Sequence, residues 1–240
     1  MFFVIRGRSI GYVLLMGLIL WGSFQLMPTE EAWLTTGSVR ASAWEIVVDP
    51  GHGGEDGGAV SPDGVAESHI NLAIARSVRD LFHLASQPVR MTREEDCSLG
   101  GDGTTVRQRK TADLKKRVAL VEETPSALLL SIHQNSLPSS PVTHGAQVFW
   151  NPRPGADTLA QEVQEDLNAV INRGNEKHTR QIPSSVYLMD HITAPGILVE
   201  CGFLSNGEET RLLQEPDYQQ KLAVTIAAGV LRWTAGEEGP

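Results

Sequence analysis

Three short apolar runs, each ending in an ionisable side chain, constrain this chain more than any other feature. Val47-Val48 lead into Asp49 and the loop Pro50-Gly51-His52; the run from Ala127 to Ile132 leads into His133; Ile197 to Val199 lead into Glu200. Continuous apolar runs bounded by turn residues suit strands buried on both faces, as in a parallel sheet. Stretches of helical period separate the runs. From Glu67 to Ala85, the apolar residues Ile70, Ile74, Val78, Leu81 and Phe82 recur at helical spacing. Strands alternating with helices predict an α/β fold, a single domain with a largely parallel, twisted sheet flanked by helices.

The remaining elements obey the same logic. Val89 to Thr92 predicts a second strand, and Arg93 to Arg109 a polar, Gly-rich loop. Thr111 to Glu123 predicts a helix with Leu114, Val118 and Val121 inward. Gln134 to His144 predicts a long loop, and Gly145 to Trp150 a further strand. Leu159, Val163, Leu167 and Val170 mark a helix that stops at Arg173-Gly174. Asn175 to Ser185 is polar and expected to be exposed. Ser205-Asn206 can cap a short helix with Glu208 and Glu209 in its first turn. A last helix, Pro216 to Trp233, would turn Leu222, Ile226, Val230 and Trp233 to one side.

The N-terminus is of another kind. Arg6 and Arg8 precede an apolar run from Ile10 to Met27, and no charge occurs from Ser9 to Thr29. About 20 apolar residues cross a bilayer as a helix, and leading basic residues keep that end in the cytoplasm. Residues 1–27 therefore read as a signal or anchor segment, 28–43 as a linker, and 44–240 as the exported domain, tied to the membrane through its N-terminal segment. Ala41-Ser42-Ala43 fits a small-residue cleavage pattern but lies far beyond the apolar run, which favours an anchor over a cleaved signal. The formal charge of −9, without a lysine-rich block, excludes the basic stripe that a nucleic-acid binder presents. The two cysteines, Cys97 and Cys201, make neither a disulfide framework nor a metal spacing.

Ligands of open α/β sheets bind beyond the carboxyl ends of the strands. The His52 loop, His133 and Glu200 all come after strands, and Glu67 opens the helix after the first one. Four ligand-type residues thus converge on one rim. Two imidazoles and a carboxylate with an open fourth position form a catalytic zinc site, so His52, Glu67 and His133 are the candidate ligands for one Zn²⁺. Glu200 remains as a second carboxylate, suited to be the general base. Plainer roles exist for each: a mobile Gly-rich loop at His52, a first-turn helix acid at Glu67, a satisfied core histidine at His133. The plain reading is poorest for Glu200, since an acid ending a buried strand is costly without a partner. His69, His83, His144, His178 and His191 lack such placement, and most read as surface residues; Cys201 reads as a small buried residue rather than a nucleophile.

At these residues the chain resembles the zinc-dependent N-acetylmuramoyl-L-alanine amidases. The likeness lies in Val47-Val48-Asp49-Pro50-Gly51-His52-Gly53-Gly54, in Glu67 with Ile70-Asn71-Leu72-Ala73, in Ser131-Ile132-His133-Gln134-Asn135 and in Leu198-Val199-Glu200-Cys201-Gly202-Phe203-Leu204-Ser205-Asn206. Met91-Thr92-Arg93 adds a strand-end segment, and the whole covers about Glu45 to Trp233. The resemblance implies hydrolysis of the amide between the lactyl group of N-acetylmuramic acid and L-alanine in peptidoglycan. It implies zinc on His52, Glu67 and His133, and catalysis by Glu200. Ser68-His69 stand where the family more often has a lysine, and Gln134 where alanine is common; neither touches a proposed ligand. A lone catalytic domain behind one hydrophobic segment, with no wall-binding repeat and no regulatory helix near the site, looks similar to the germination-specific amidases of spore formers. That subfamily acts on spore-cortex peptidoglycan, where stem-peptide removal precedes muramic δ-lactam, and it implies an extracytoplasmic location at the forespore cortex. An activating protein partner is left open by these motifs. The rival classes are a non-catalytic peptidoglycan-binding or regulatory protein on the same scaffold, and a zinc peptidase or deacetylase of the cell wall.

Overall fold

The computed structural model describes residues 43–101 and 103–236. The expected signal or anchor segment, and all but the last residue of the linker, lie outside the described residues. Twelve elements occur in order: β1 (Glu45–Pro50), α1 (Glu67–Leu84), β2 (Val89–Met91), α2 (Val106–Glu122), β3 (Ala127–Asn135), β4 (Gln147–Trp150), α3 (Ala156–Val170), β5 (Arg180–Gln181), α4 (Tyr187–His191), β6 (Gly196–Phe203), α5 (Gly207–Leu213) and α6 (Pro216–Gly236). The strands form one sheet in the order β2-β1-β3-β6-β4-β5. β2, β1, β3 and β6 run parallel, and β4 pairs antiparallel with β6. The sheet is thus largely parallel, as the alternating pattern predicts.

Successive side chains of a strand point to opposite faces, and here the two faces pack differently. Ile46 and Val48 of β1, Leu128, Leu130 and Ile132 of β3, and Ile197 and Val199 of β6 meet one apolar cluster with α1, α3 and α6. The inward residues of those helices are the periodic ones: Ile70, Ile74, Val78 and Phe82; Leu159, Val163 and Leu167; Leu222, Ile226, Val230 and Trp233. Each such side chain contributes about 1.5–3 kcal/mol on burial, so this layer is the main source of stability. The domain's first described aromatic, Trp44, closes it against Trp233 with ring centroids 5.5 Å apart.

The opposite face is thinner. Val47, Leu129 and Leu198 meet Val121 of α2 and a small group comprising Ile182, Leu188, Met189 and Ile192. Two expectations need correction on this side. First, α2 begins at Val106, not Thr111. A capping box explains the earlier start: the Gln108 backbone donates to Thr105 Oγ1 at 3.2 Å, and the Thr105 backbone donates to Gln108 Oε1 at 3.1 Å. Second, the helix buries Asp113, Arg117 and Val121, while Leu114 and Val118 stay only half-buried. A buried charge is tolerated where it is paired and hydrogen-bonded, and Arg117, salt-bridged to both Asp49 and Asp113, meets that condition.

The polar stretch from Asn175 to Ser185 is also more structured than expected. Arg180 and Gln181 are exposed but form the edge strand β5, and Ile182 is buried. α4 comes next, too short to show a helical period in the sequence. On the far side, Asn206 caps α5 as predicted, its side chain accepting from the Glu209 backbone at 3.0 Å. Glu209 then turns inward to accept from the backbones of Gly145 and Phe203, each at 2.7 Å.

Candidate metal centre

The strand alternation places the site on the thin face. Val47, Leu129 and Leu198 lie among the α2-side apolar residues. Two residues further along the same strands come Asp49, Ser131 and Glu200, with His133 beyond Ser131. On this one face the side chains change from apolar to polar toward the carboxyl ends. The register sets Asp49 beside Ser131 and His133 beside Glu200. All four line a cavity of about 370 Å³ together with His52.

His52 enters from the loop after β1 with φ of 61°, the left-handed region. That conformation is uncommon for a residue bearing a Cβ. The glycines around it are required by close approach: a Cβ on Gly51 would collide with the His133 ring, and one on Gly58 with the Glu67 carboxylate and the His52 ring. Glu67, the first residue of α1, is buried at the centre. Its Oε2 accepts from the Ala59 backbone at 2.7 Å, and its Oε1 accepts from the Gln134 backbone at 3.0 Å and from Asn71 Nδ2 at 3.1 Å. The same Oε1 lies 2.9 Å from His133 Nδ1 and 3.5 Å from His52 Nε2. One ligand atom from each of His52, Glu67 and His133 falls within 4.8 Å of the others.

The electrostatics match this grouping. Burial pushes the Glu67 carboxyl up, but the His133 hydrogen bond and the charges of both histidines bring it down to about 2. His133 moves the other way: burial lowers it, and the Glu67 hydrogen bond and charge more than offset that. Glu200 stands apart from this pairing. Burial pushes its carboxyl up, His133 draws it back in part and Glu67 adds to the rise, leaving it at about 7. Its Oε2 is buried without a hydrogen-bond partner among the described residues, and Glu200 lines the cavity.

The donor set fits a borderline-soft cation. Two imidazoles and one carboxylate converge and leave one side open to the cavity, which is the composition of a catalytic rather than a structural zinc site. Leu114, Tyr187 and Met189 give the same cavity an apolar wall. A larger, more open hollow of about 640 Å³ lies along α3 and α6. It gathers no such cluster: Arg232 there pairs with Asp166 at 2.9 Å.

Beyond these four residues, a second ring of side chains carried no role in the sequence. Arg117 is almost wholly buried; it donates to Asp49 Oδ1 at 2.6 Å, Asp113 Oδ2 at 2.7 Å, and the carbonyls of Pro50 at 2.9 Å and His52 at 2.7 Å. Arg93 donates to the carbonyls of Pro50, Gly51 and Ser68 at 2.9–3.0 Å. Asp56 faces His52 Nδ1 at 2.9 Å and Lys110 Nζ at 2.9 Å. The visible signals were the acids Asp49 and Asp56 flanking the loop; nothing in the sequence assigned Arg117 or Arg93 to it. The five other histidines are exposed, as expected. Cys201 is fully buried, and burial with the nearby Glu200 charge drives its thiol far above the usual range, which leaves no thiolate for nucleophilic chemistry.

Comparison with known proteins places these features. A family model described as N-acetylmuramoyl-L-alanine amidase matches residues 46–232. The chain is 36% identical over 204 residues to the germination-specific N-acetylmuramoyl-L-alanine amidase of Bacillus subtilis, covering 85% of each. It is 28% identical over 231 residues to the amidase AmiA of Escherichia coli, covering 78% of this chain and 75% of that one. Among solved structures, it resembles the CwlD amidase from Clostridioides difficile, solved in complex with the GerS lipoprotein. The TM-score there is 0.77 at 33% identity, over 80% of this chain and 99% of that one.

Proposed function

The chain belongs to the N-acetylmuramoyl-L-alanine amidase family, and from that premise we propose that it cleaves the lactyl–L-alanine amide of spore-cortex peptidoglycan with a zinc ion held by His52, Glu67 and His133. The amidase activity and the peptidoglycan substrate follow from the family itself. The cortex role is supported by 36% identity to a germination-specific amidase across 85% of both chains. A protein partner is supported by the CwlD complex with a lipoprotein. Such a substrate lies outside the cytoplasmic membrane, which requires export of residues 44–240 and gives the N-terminal segment, 1–27, its task.

The convergence of His52, Glu67 and His133 beside the unpartnered Glu200 is the observation that carries the zinc reading. A zinc ion held by His52, Glu67 and His133 would supply a Lewis acid for the scissile carbonyl and the attacking water. Glu200, which lines the cavity, would take the proton from the attacking water and deliver it to the departing amine of L-alanine. Glu67, hydrogen-bonded to Ala59, Asn71 and Gln134, holds its own carboxylate still and His133 against it. The apolar wall of Leu114, Tyr187 and Met189 excludes water from one side of the cavity.

Metal analysis should return about one zinc per molecule. Digestion of cortex-type peptidoglycan, with mass spectrometry of the products, should show free L-alanine amino termini and glycan freed of stem peptide. If His52→Ala leaves zinc content and cleavage intact, the ligand assignment is wrong. Products cut within the peptide or deacetylated on the sugar would instead identify a peptidase or deacetylase.

A further inference from the structure

Among the described residues, of the two candidate imidazole ligands only His52 has a carboxylate behind it. His52 Nε2 faces Glu67, and on the opposite edge of the ring Nδ1 lies 2.9 Å from Asp56 Oδ2. An imidazole that binds a metal through one nitrogen needs its proton on the other, and a carboxylate there fixes both the tautomer and the ring plane. Asp56 is itself restrained. Its backbone exchanges hydrogen bonds with Gly53 at 2.8 and 3.2 Å, closing the loop around His52. Lys110 Nζ reaches the same Oδ2 at 2.9 Å from α2.

Lys110, Asp113 and Arg117 are spaced three and four residues apart, so they share one face of α2. The two cations at the ends of that face act on the same ligand. Lys110 braces Asp56 behind the His52 ring, and Arg117 Nη2 donates to the His52 carbonyl at 2.7 Å. The second contact holds a backbone that sits in the left-handed region. A loop rich in glycine has many conformations open to it; the grips from α2 select one.

We propose that Asp56 is a positioning residue of the metal centre: braced by Lys110, it fixes His52 as the Nδ1–H tautomer with Nε2 turned to Glu67 and His133. The inference rests on His52 as a metal ligand, and its test separates the two claims. Asp56 is 31% exposed at its side chain, so Asp56→Ala should fold, and the unfolding midpoint of the metal-free protein checks that. Zinc affinity, measured by competition with a chelator of known strength, should fall ten- to a hundred-fold in Asp56→Ala. It should fall less in Asp56→Asn, which keeps an oxygen acceptor for Nδ1–H, and less again in Lys110→Met. Nitrogen NMR of the metal-free wild type should show His52 as the Nδ1–H tautomer, with Asp56→Ala shifting it toward Nε2–H. The proposal requires both readouts to move: unchanged zinc affinity or an unchanged tautomer in Asp56→Ala overturns it. Failure of the ligand assignment itself would show differently, as a wild type that binds no zinc while the tautomer still depends on Asp56.

Discussion

The two faces of this sheet bury their side chains by opposite means. Against α1, α3 and α6, strand residues meet helices whose inward positions are mostly apolar, with Asn71 and Gln164 among the polar exceptions, and the apolar contacts have no directional demand. Against α2, the apolar part ends at Val121, and the carboxyl half of the face is an ionic lattice of Asp49, Asp113 and Arg117 with Thr92 and Ser131. Dispersion and hydrophobic burial tolerate small shifts, while buried hydrogen-bonded charges do not. The candidate site gathers mainly on the intolerant face, with Glu67 reaching it from the first residue of α1. The thick face holds the domain together, and the thin face holds His52 where it is needed.

The comparison breaks most visibly at Arg117. Arg117→Met removes one partner of a buried ionic group and leaves Asp49 and Asp113 uncompensated, which costs about 3–5 kcal/mol. Urea unfolding should register that loss, and the folded fraction should bind zinc more weakly because the His52 carbonyl is released. Leu159→Ala, on the other face, leaves a cavity and costs ~2–5 kcal/mol, yet the molecules that remain folded should keep their kcat/KM. A Leu159→Ala enzyme whose turnover per folded molecule drops with its stability would show that the two faces are not separate in function.

The same contrast explains what the sequence made legible. The helices of the thick face announced themselves through Ile70-Ile74-Val78 and Leu222-Ile226-Val230, because apolar burial imposes a period that can be counted. The candidate site residues were legible because parallel strands deliver the residues at their carboxyl ends to one edge. His52 follows β1, His133 and Glu200 lie in the carboxyl halves of β3 and β6, which continue to Asn135 and Phe203, and Glu67 opens the helix that returns from β1. α2 departs from its sequence pattern at its start and on its inward face. Its buried positions are Asp113 and Arg117, which look like solvent residues until Asp49 is found opposite, and that pairing spans 68 residues of chain. α4 is not legible in the sequence, because five residues cannot show a helical period.

Acid should find the ionic face before the apolar one. Burial pushes the Asp49 carboxyl up, but Arg117, with hydrogen bonds from Thr92 and Ser131, holds it down at about 2. A depressed carboxylate adds stability that is full above its unfolded value of roughly 3.9 and is lost as pH falls toward its folded one. At about 1.36 kcal/mol per unit, the part owed to Asp49 is about 2–3 kcal/mol, disappearing between about pH 4 and pH 2. Asp49→Asn removes that dependence. The variant's unfolding free energy, monitored by circular dichroism, should therefore change less than the wild type's across this window. An equal change in both would assign the acid sensitivity to other carboxylates.

The smallest effect tests where the thin face begins. Thr105 closes a capping box with Gln108 and lets α2 start at Val106, which sets the two turns that carry Lys110 and Asp113 under the His52 loop. Loss of such a cap costs about 1 kcal/mol. Thr105→Ala should lower stability by that amount and let the first turn fray. Fraying reaches Lys110 before Arg117, so hydrogen exchange should quicken over residues 106–110 and not around 117. Zinc affinity should then drop only as far as it does in Lys110→Met. A Thr105→Ala protein that loses zinc as severely as Asp56→Ala would mean that the cap, rather than Asp56, is what keeps the His52 ring in place.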